Sequence, residues 1–295
     1  QEIFEAYHDL IAFGTSCLMI EEDQDDILLF SARHIKEIYI QENKKGFVDT
    51  IYRRFKMPSQ AAADKFGIEN VSRDLINKAR KNPFDDVQLV HVVRPRLDFD
   101  PGKQDKKNMP FQSIYMEYES GHIISIGGFK ESPYVIPRYL KASTEQYGRS
   151  PGMNALPDVK VLNKMVENSL KAAAKQIDPP LLIPDDGMLA PVRMSPGSIN
   201  YYRSGSRDRI EPLNINANTS ITINNENQRR DAINKMFHID QLVVTENRNM
   251  TATEVIQRQE EKMRILGPVL GRLQSELLSP LITRVFNILL RNGLF

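Results

Sequence analysis

The C-terminal stretch from Met250 to Arg291 has the pattern of one long amphipathic helix, which restricts the fold more than any other feature. Thr251 and Glu254 stand at capping-box spacing, so their side chains can bind the first free backbone N–H groups of a helix that begins there. Pro268 and Pro280 remove N–H donors, so we expect a kinked helix, about 60 Å long if continuous. Its apolar positions recur at steps of three and four residues: Val255, Leu266, Val269, Leu270, Leu273, Leu277, Leu281, Val285 and Leu289. Few small enzymes need a helix of this length.

The composition is that of a folded protein with balanced charge. The 295 residues are 41% apolar, enough for a real core, and 39 basic against 38 acidic residues give a formal charge of +1. This balance argues against a protein that grips nucleic acid by broad phosphate neutralisation. Cys17 is the only cysteine, so we exclude an intrachain disulfide and a cysteine-clustered zinc site, and we expect a buried thiol in a reducing compartment.

The ends and the apolar runs give two further expectations. No apolar run approaches the roughly eighteen residues of a membrane span, so no membrane partner is expected. The chain lacks an initiator Met and begins inside a helix-like pattern from Glu2 to Leu10, which favours a fragment of a longer protein.

The first half of the chain is predicted to be α+β. Two segments carry helix start and stop signals, Pro58 to Phe66 before Gly67 and Ser72 to Lys81. The acidic run from Glu21 to Asp26 is predicted to be a solvated hairpin tip, although it could bind Ca²⁺. The β-prone runs, of which the first four are expected to share one sheet and the last two to form a hairpin, are Thr15–Ile20, Ile27–Phe30, Ile35–Ile40, Phe47–Phe55, Val87–Val93, Phe111–Tyr118 and His122–Ile126.

The second half is predicted to have two helices around an irregular insertion. Pro157 and Asp158 suit a helix start, and that helix runs to Gln176 with one apolar stripe, which packs either on the core or on a neighbouring subunit. The Pro- and Gly-rich insertion is expected to form strands and turns, and a shorter helix follows near Glu226 to Leu242. The insertion carries an arginine group that could bind phosphate, pair with acidic partner residues or simply be solvated: Arg203, Arg207 and Arg209.

The usual catalytic signatures are missing from the sequence. There is no phosphate-binding glycine loop, G-x-S-x-G elbow or H-E-x-x-H pair, and the five histidines do not stand at metal-ligand spacing. Asp185 and Asp186 with the acidic run near Glu21 could assemble a two-metal nuclease, but no third carboxylate motif accompanies them. We therefore predict no catalytic residue, no metal and no cofactor.

Two blocks of sequence resemble the portal proteins of short-tailed phages, the head-to-tail connectors. The first runs from Arg138 through Glu145-Gln-Tyr-Gly-Arg-Ser-Pro-Gly-Met-Asn-Ala-Leu-Pro-Asp-Val-Lys-Val-Leu-Asn163. The second comprises Met250-Thr-Ala-Thr-Glu-Val255 and Leu266-Gly-Pro-Val-Leu-Gly-Arg-Leu-Gln-Ser-Glu-Leu-Leu-Ser-Pro-Leu281. The blocks stand in the expected order, although Tyr139 replaces an expected Trp. The family pattern also includes a crown domain and further N-terminal wing residues, which we expect to be absent from this sequence.

The resemblance implies a portal fold and a ring, commonly of twelve subunits, through which double-stranded DNA enters and leaves the capsid. The implied domains are a wing (1–156), a stem helix (157–176), a β-containing clip (177–217), a second stem helix (218–242), a tunnel loop (243–250) and a long wing helix (251–295) leading to the missing crown. The implied partners are other copies of the chain, the terminase large subunit, head–tail adaptor or tail proteins, and capsid and scaffolding protein. The implied location is the virion portal vertex, after assembly in the host cytoplasm.

The resemblance also assigns roles to particular residues. Glu246, Asn247, Arg248 and Asn249 fall where the family places its tunnel loop, and repetition of Arg248 around a ring would make a cationic collar for sliding DNA. The arginines at 203, 207 and 209 fall in the clip, which would meet partners. Gly148 within the Tyr147-Gly-Arg149 turn is expected to permit an unusual backbone angle, with Arg149 capping or bridging structure. The alternatives are a metal-dependent DNA-processing enzyme and a monomeric adaptor.

Overall fold

The computed structural model describes residues 1–23, 27–100, 102–103, 105–179, 181–182, 211–212, 219–239, 264 and 266–294. These residues form two compact units. The first unit comprises Gln1–Asn154 together with Val243–Phe295, and the second comprises Ala155–Leu242. Both helices and sheets are present, so the predicted α+β class is confirmed.

The elements of the first unit are mostly short, except for one long helix of which only the first residues belong to this unit. The helices are α1 (Glu2–Phe13), α2 (Ser59–Phe66), α3 (Arg73–Lys81) and α4 (Pro151–Ile177), which continues into the second unit. Single 3₁₀ turns occupy Ile35–Glu37 and Lys106–Asn108. The strands are β1 (Leu18–Asp23), β2 (Ile27–Ala32), β3 (Ile38–Glu42), β4 (Val48–Pro58), β5 (Asp86–Pro95), β6 (Phe111–Glu117), β7 (Ile123–Phe129) and β8 (Tyr134–Val135).

The strands of this unit form two sheets. Strands β3 to β7 make a five-stranded antiparallel sheet in chain order, and β1 lies between β2 and β8 in a three-stranded sheet. The expectation that the first four β-prone runs share one sheet was therefore wrong. The reason is that β1 pairs with β2 on one side and on the other with β8, more than a hundred residues further along the chain, and sequence pattern cannot reveal such a distant pairing. The predicted hairpins β1–β2 and β6–β7 are confirmed.

Three apolar clusters hold the layers of the first unit together. One cluster lies between the five-stranded sheet and helices α2 and α3, and includes Phe55, Leu75 and Leu89. A second joins the two sheets and contains Cys17, confirming the predicted buried thiol, whose pKa burial raises to about 12. The third covers the other side of the three-stranded sheet with the C-terminal helical segment, through residues that include Leu277 and Ile288.

Local capping explains where the helices begin and end. Ser72 caps α3 by accepting the Leu75 N–H at 3.2 Å, and Gly67 ends α2 with a φ of 86°, as the sequence predicts. Helix α4 begins at Pro151 rather than at Pro157, so that prediction was wrong. Ser150 supplies the cap instead, because its Oγ accepts the Met153 N–H at 2.8 Å, and Pro157 is tolerated inside the helix.

The C-terminal segment is helical but not a uniform α-helix. Residues 266–273 are α-helical, Gln274–Leu278 form a π-helical turn, and α6 covers Ser279–Arg291. The Ser279 N–H donates to the Gln274 carbonyl, one residue further back than in an α-helix. This wider turn stands directly before Pro280, whose ring would otherwise crowd the carbonyl four residues earlier. The predicted helix start at Thr251 lies outside the described residues.

The second unit contains the rest of α4, α5 (Thr219–Met236) and a two-stranded antiparallel pair, β9 (Leu181–Leu182) and β10 (Glu211–Pro212). Helix α5 begins at Thr219, seven residues before the predicted start at Glu226. Within this unit the two helices are linked by Ser169, which donates to Glu226 at 2.6 Å, and by an Arg229–Asp158 ion pair at 2.6 Å.

Candidate functional site

The two sequence blocks meet in the first unit at a buried arginine. Arg138 is fully buried, and its five guanidinium N–H groups each reach an oxygen of the protein. The Nε and Nη2 groups donate to the two oxygens of Glu276 at 3.0 and 2.6 Å, and Nη1 donates to Glu42. The remaining donors bind the Gln146 and Gly46 carbonyls, both at 2.9 Å. With every donor used, this arginine stabilises the fold and has no free group for DNA.

Glu276 supplies the other half of this contact from the π-helical turn. Its Oε2 also accepts the backbone N–H of Arg138 at 3.1 Å, and its Oε1 accepts a hydrogen bond from Arg272 at 2.9 Å. The carboxylate is almost fully buried, so its charge must be compensated within the protein. The π-helical turn therefore carries a carboxylate that ties the C-terminal segment to the strand region around Arg138.

A second carboxylate completes the cluster. Glu42 binds Arg138 and accepts a 2.7 Å hydrogen bond from Lys141. Burial alone would raise the pKa of Glu42, but hydrogen bonds from Lys141 and Arg138 outweigh it and hold the pKa below its ordinary value. Burial likewise acts to lower the pKa of Arg138, and the bonds to Glu276 and Glu42 reverse this effect and raise it. We call Arg138, Glu276, Glu42, Lys141 and Arg272 the buried charge cluster.

The turn at Tyr147, Gly148 and Arg149 packs beside this cluster. The Gly148 N–H donates to Thr15 Oγ1 at 2.7 Å, and a Cβ atom on Gly148 would lie 2.1 Å from the Gly14 carbonyl oxygen. Gly148 does not have a positive φ, so the expected unusual backbone angle was wrong. The glycine is needed because two backbone segments approach too closely for any side chain.

The neighbouring residues of the turn have structural roles. The Tyr147 hydroxyl donates to the Ile38 carbonyl at 3.2 Å and accepts the Ile40 N–H at 3.3 Å, so it fastens the turn to β3. Arg149 forms a bidentate pair with Glu145 at 2.8 and 2.6 Å on the surface. This exposed pair is local to the turn, and the predicted bridging role of Arg149 stays a prediction.

The other predicted site residues lie outside the described residues. These are the tunnel-loop set Glu246, Asn247, Arg248 and Asn249, the clip arginines at 203, 207 and 209, and the capping pair Thr251 and Glu254. Asp185 and Asp186 of the nuclease alternative also lie outside them. Of the predicted site residues, the described part of the chain includes only those of the Tyr147–Arg149 turn.

The buried charge cluster was not predicted from the sequence, although a signal was present. Glu276 stands between Leu273 and Leu277 on the apolar side of the C-terminal helix, and Arg284 stands on the same side between Leu281 and Ile288. Arg284 donates to the Ile20 and Glu131 carbonyls at 2.9 and 3.0 Å. Charged residues at inward helical positions indicate a buried polar contact.

The most enclosed histidine also has a structural role. His91 is fully buried between the Tyr134 hydroxyl, 2.8 Å from Nδ1, and the Ser113 hydroxyl, 2.9 Å from Nε2, and its ring stacks on Tyr115 at 3.9 Å. Burial, helped by Arg53, lowers the pKa of His91 to about 3, so the ring is neutral. Among the described residues no group of three or more His, Cys, Asp or Glu side chains could hold a metal, and no helix is long and apolar enough to cross a bilayer.

Comparison with known proteins gives the family of this chain, and the matched residues include both sequence blocks that the buried charge cluster joins. A family model described as bacteriophage head to tail connecting protein matches residues 1–295. The chain belongs to this connector family. It is similar to the portal protein of Salmonella phage epsilon15, with 32% identity over 98% of this chain and 53% of that protein. It is also similar to a probable portal protein of Bordetella phage BPP-1, with 30% identity over 95% of this chain and 52% of that protein.

A more distant relative is the portal protein of Enterobacteria phage T3, with 22% identity over 95% of this chain and 51% of that protein. The chain spans about half the length of the curated relatives it matches. The resemblance to portal proteins of short-tailed phages is confirmed. In this connector chain the buried charge cluster joins the two blocks that carry the resemblance.

Proposed function

We propose that the chain is part of a portal subunit, which assembles into a ring at one capsid vertex and forms the channel for genome packaging, retention and ejection. The observation that carries this proposal is the match of the connector family model to all 295 residues. The buried charge cluster supports it physically, because the contact between the two blocks fixes the C-terminal helical segment on the wing-like unit.

Within this proposal the segments have distinct tasks. The wing is residues 1–156, the stem helices are 157–176 and 218–242, the clip is 177–217, the tunnel loop is 243–250, and the long wing helix is 251–295. Arg248 contacts DNA weakly, because a translocating duplex needs replaceable phosphate contacts, and a ring repeats one arginine many times. The clip arginines face the terminase large subunit and later the head–tail adaptor or tail proteins.

The proposed subunit is structural rather than enzymatic. It assembles in the host cytoplasm with scaffolding and capsid protein, in a ring of about twelve copies, and it remains at the portal vertex of the virion. Head-to-tail contacts that close by rotation give such a ring two different interface surfaces on every subunit.

Negative-stain electron microscopy of the protein as encoded by its gene tests the proposal. The expected result is a ring with a central hole of roughly 20 Å or more, wide enough for B-form DNA. A strictly monomeric particle would favour the adaptor alternative. Metal-dependent DNA cleavage that disappears on substitution of Asp185 or Asp186 would favour the enzyme alternative instead.

A further inference from the structure

The outer face of the five-stranded sheet is unusually apolar. One face of this sheet is covered by α2, α3 and the three-stranded sheet, and an antiparallel sheet covered on one side normally presents polar residues on the other. Here a row of directly paired residues crosses all five strands on the open face: Tyr39, Tyr52, Val92, Ile114 and Ile126. We call this surface the open sheet face.

Within the described part of the chain the residues at the edges of this row are exposed, whereas Val92 in its centre is only 9% exposed. Tyr39 and Ile126, at opposite edges of the row, are each 47% exposed, and the neighbouring Ile123 is 48% exposed. Such a contiguous apolar surface on one side of a sheet indicates a docking site rather than ordinary solvent exposure.

The charges on the open sheet face are mainly positive. Arg54, Lys56 and Arg94 alternate with the apolar residues on β4 and β5, and Asp86 at the end of β5 is the one carboxylate at these strand positions. The Arg54 guanidinium lies over the rings of Tyr118 and Tyr39, at 5.3 and 5.9 Å from their centroids. A partner for this face needs apolar side chains flanked by carboxylates.

Helix α1 presents a surface with these properties. Its outward side carries Phe4, Tyr7 and Ile11 at steps of three and four residues, and Phe4 is 75% exposed. Glu5 stands at the border of this side, whereas Asp9 lies on the other side of the helix near Glu2, and the helix contains no Lys or Arg. We call this surface the α1 ridge. Twelve residues give α1 a length of about 18 Å, close to the roughly 19 Å width of five adjacent strands.

The ridge cannot reach the open sheet face of its own chain. Glu2 accepts the Ala32 N–H at 2.7 Å, the Ala12 carbonyl accepts a hydrogen bond from Ser150 at 2.8 Å, and Ala6 and Leu10 are buried on the inner side of the helix. Both ends of α1 are therefore fixed, and the ridge projects away from the contacts that hold it.

We infer that the α1 ridge of one subunit docks on the open sheet face of a second copy. The contact joins two different surfaces of the same chain, so each copy offers one surface to the neighbour on either side, as ring closure requires. Apolar burial drives the contact, and pairing of Glu5 with Arg54 fixes the orientation. This inference rests on the proposed ring.

Cysteine cross-linking in the protein as encoded by its gene tests the inference. Phe4→Cys and Tyr52→Cys place one thiol on each surface, and Cys17 does not interfere because it is buried with a pKa raised to about 12. A short bis-maleimide should join the doubly substituted chains into a ladder of dimers, trimers and larger species. Each single variant alone should give no cross-linked dimer, because the contact is not symmetric.

The control pair is Phe84→Cys with Leu97→Cys, two almost fully exposed positions outside both surfaces, which should give no ladder. Rings on the microscope grid without a ladder from the double variant would overturn the inference and leave the proposed function intact. Dimers from either single variant would also overturn it. A protein that forms no ring at all would overturn both proposals.

Charge reversal supplies an independent measurement. Arg54→Glu should lower the ring fraction on size exclusion at least tenfold, and Glu5→Arg should do the same, whereas the two together should recover most of the ring. Thermal unfolding should stay unchanged in each subunit, because both side chains are exposed. Rings that form equally well in both single variants would contradict the proposed orientation.

Discussion

The two units of this connector chain are stabilised in opposite ways. The first unit buries complete apolar clusters and a charge cluster in which every donor of Arg138 is satisfied. In the second unit the apolar stripe of α4 contains no fully buried residue, and Leu170 is 67% exposed. The contacts between α4 and α5 include an ion pair that is half exposed on the Arg229 side.

The difference in burial between the two units shows which of them is stabilised by contacts within one chain. A buried cluster with satisfied hydrogen bonds fixes one arrangement of the strands and helices around it. Long helices with a half-exposed stripe need another surface to cover them, because most helical stability in proteins comes from packing of the apolar side. The first unit is thus held by contacts within the described chain, and the stripe of α4 is the surface that the proposed ring contact would cover.

The largest expected effect comes from breaking the buried charge cluster. Glu276→Ala leaves the Arg138 guanidinium buried without its main counter-ion, and loss of one partner of a buried pair costs about 3–5 kcal/mol. Urea denaturation of the first unit should show this loss. The matched control is Glu145→Ala, which removes an exposed partner of Arg149 and should leave the midpoint nearly unchanged. Equal effects of the two variants would mean that the cluster does not stabilise the fold.

Acid should weaken the first unit in two steps. In the folded protein the pKa of His91 is about 3, so the ring is neutral. In the unfolded chain the pKa is the ordinary 6.5, so below pH 6.5 only the unfolded chain binds the extra proton, and the free energy of unfolding decreases as the pH is lowered. At pH 5 this amounts to about 2 kcal/mol, since each pH unit is worth about 1.4 kcal/mol. The pKa of Glu42 is lowered in the folded state, so its contribution to stability is present above the ordinary value of 4.5 and is lost as pH falls through the folded value.

Urea midpoints measured between pH 7 and pH 3 should show these steps. In His91→Gln the decrease in urea midpoint between pH 6.5 and pH 5 should disappear, because no titratable group remains at that position. The decrease due to Glu42, at lower pH, should persist. An unchanged slope in the variant would mean that another group causes the first step.

The sequence predicted local features well and distant contacts poorly. The Ser72 cap, the Gly67 helix end and the β6–β7 hairpin follow from neighbouring residues, and all three are confirmed. The pairing of β1 with β8 and the contact of Arg138 with Glu276 join residues more than a hundred positions apart. The family resemblance located both blocks of the cluster, but only three-dimensional packing could show that their charged residues meet.

A smaller effect is expected at the close backbone approach. A Cβ atom from Gly148→Ala would lie 2.1 Å from the Gly14 carbonyl oxygen, so the segments must separate, and overpacking of this kind costs about 1–3 kcal/mol. The control is Gly127→Ala, where no atom lies within 4 Å of the added methyl group. Differential scanning calorimetry should show a clear fall in Tm only for the Gly148 variant.

The smallest effect on stability should come from the exposed stripe of the second unit, where assembly rather than folding should change. Leu170→Ser removes an apolar side chain that is already mostly exposed in the single chain, so the free energy of unfolding from urea denaturation should stay within about 0.5 kcal/mol of its original value. If neighbouring copies cover the stripe, the fraction of protein in rings on size exclusion should fall sharply. Ser169→Ala is the informative counterpart, because it removes the bond to the buried Glu226 and should cost about 1 kcal/mol within the subunit. A Leu170 variant that assembles normally would place the stem contact on another side of α4, and the second unit would then need a different explanation for its exposed apolar surface.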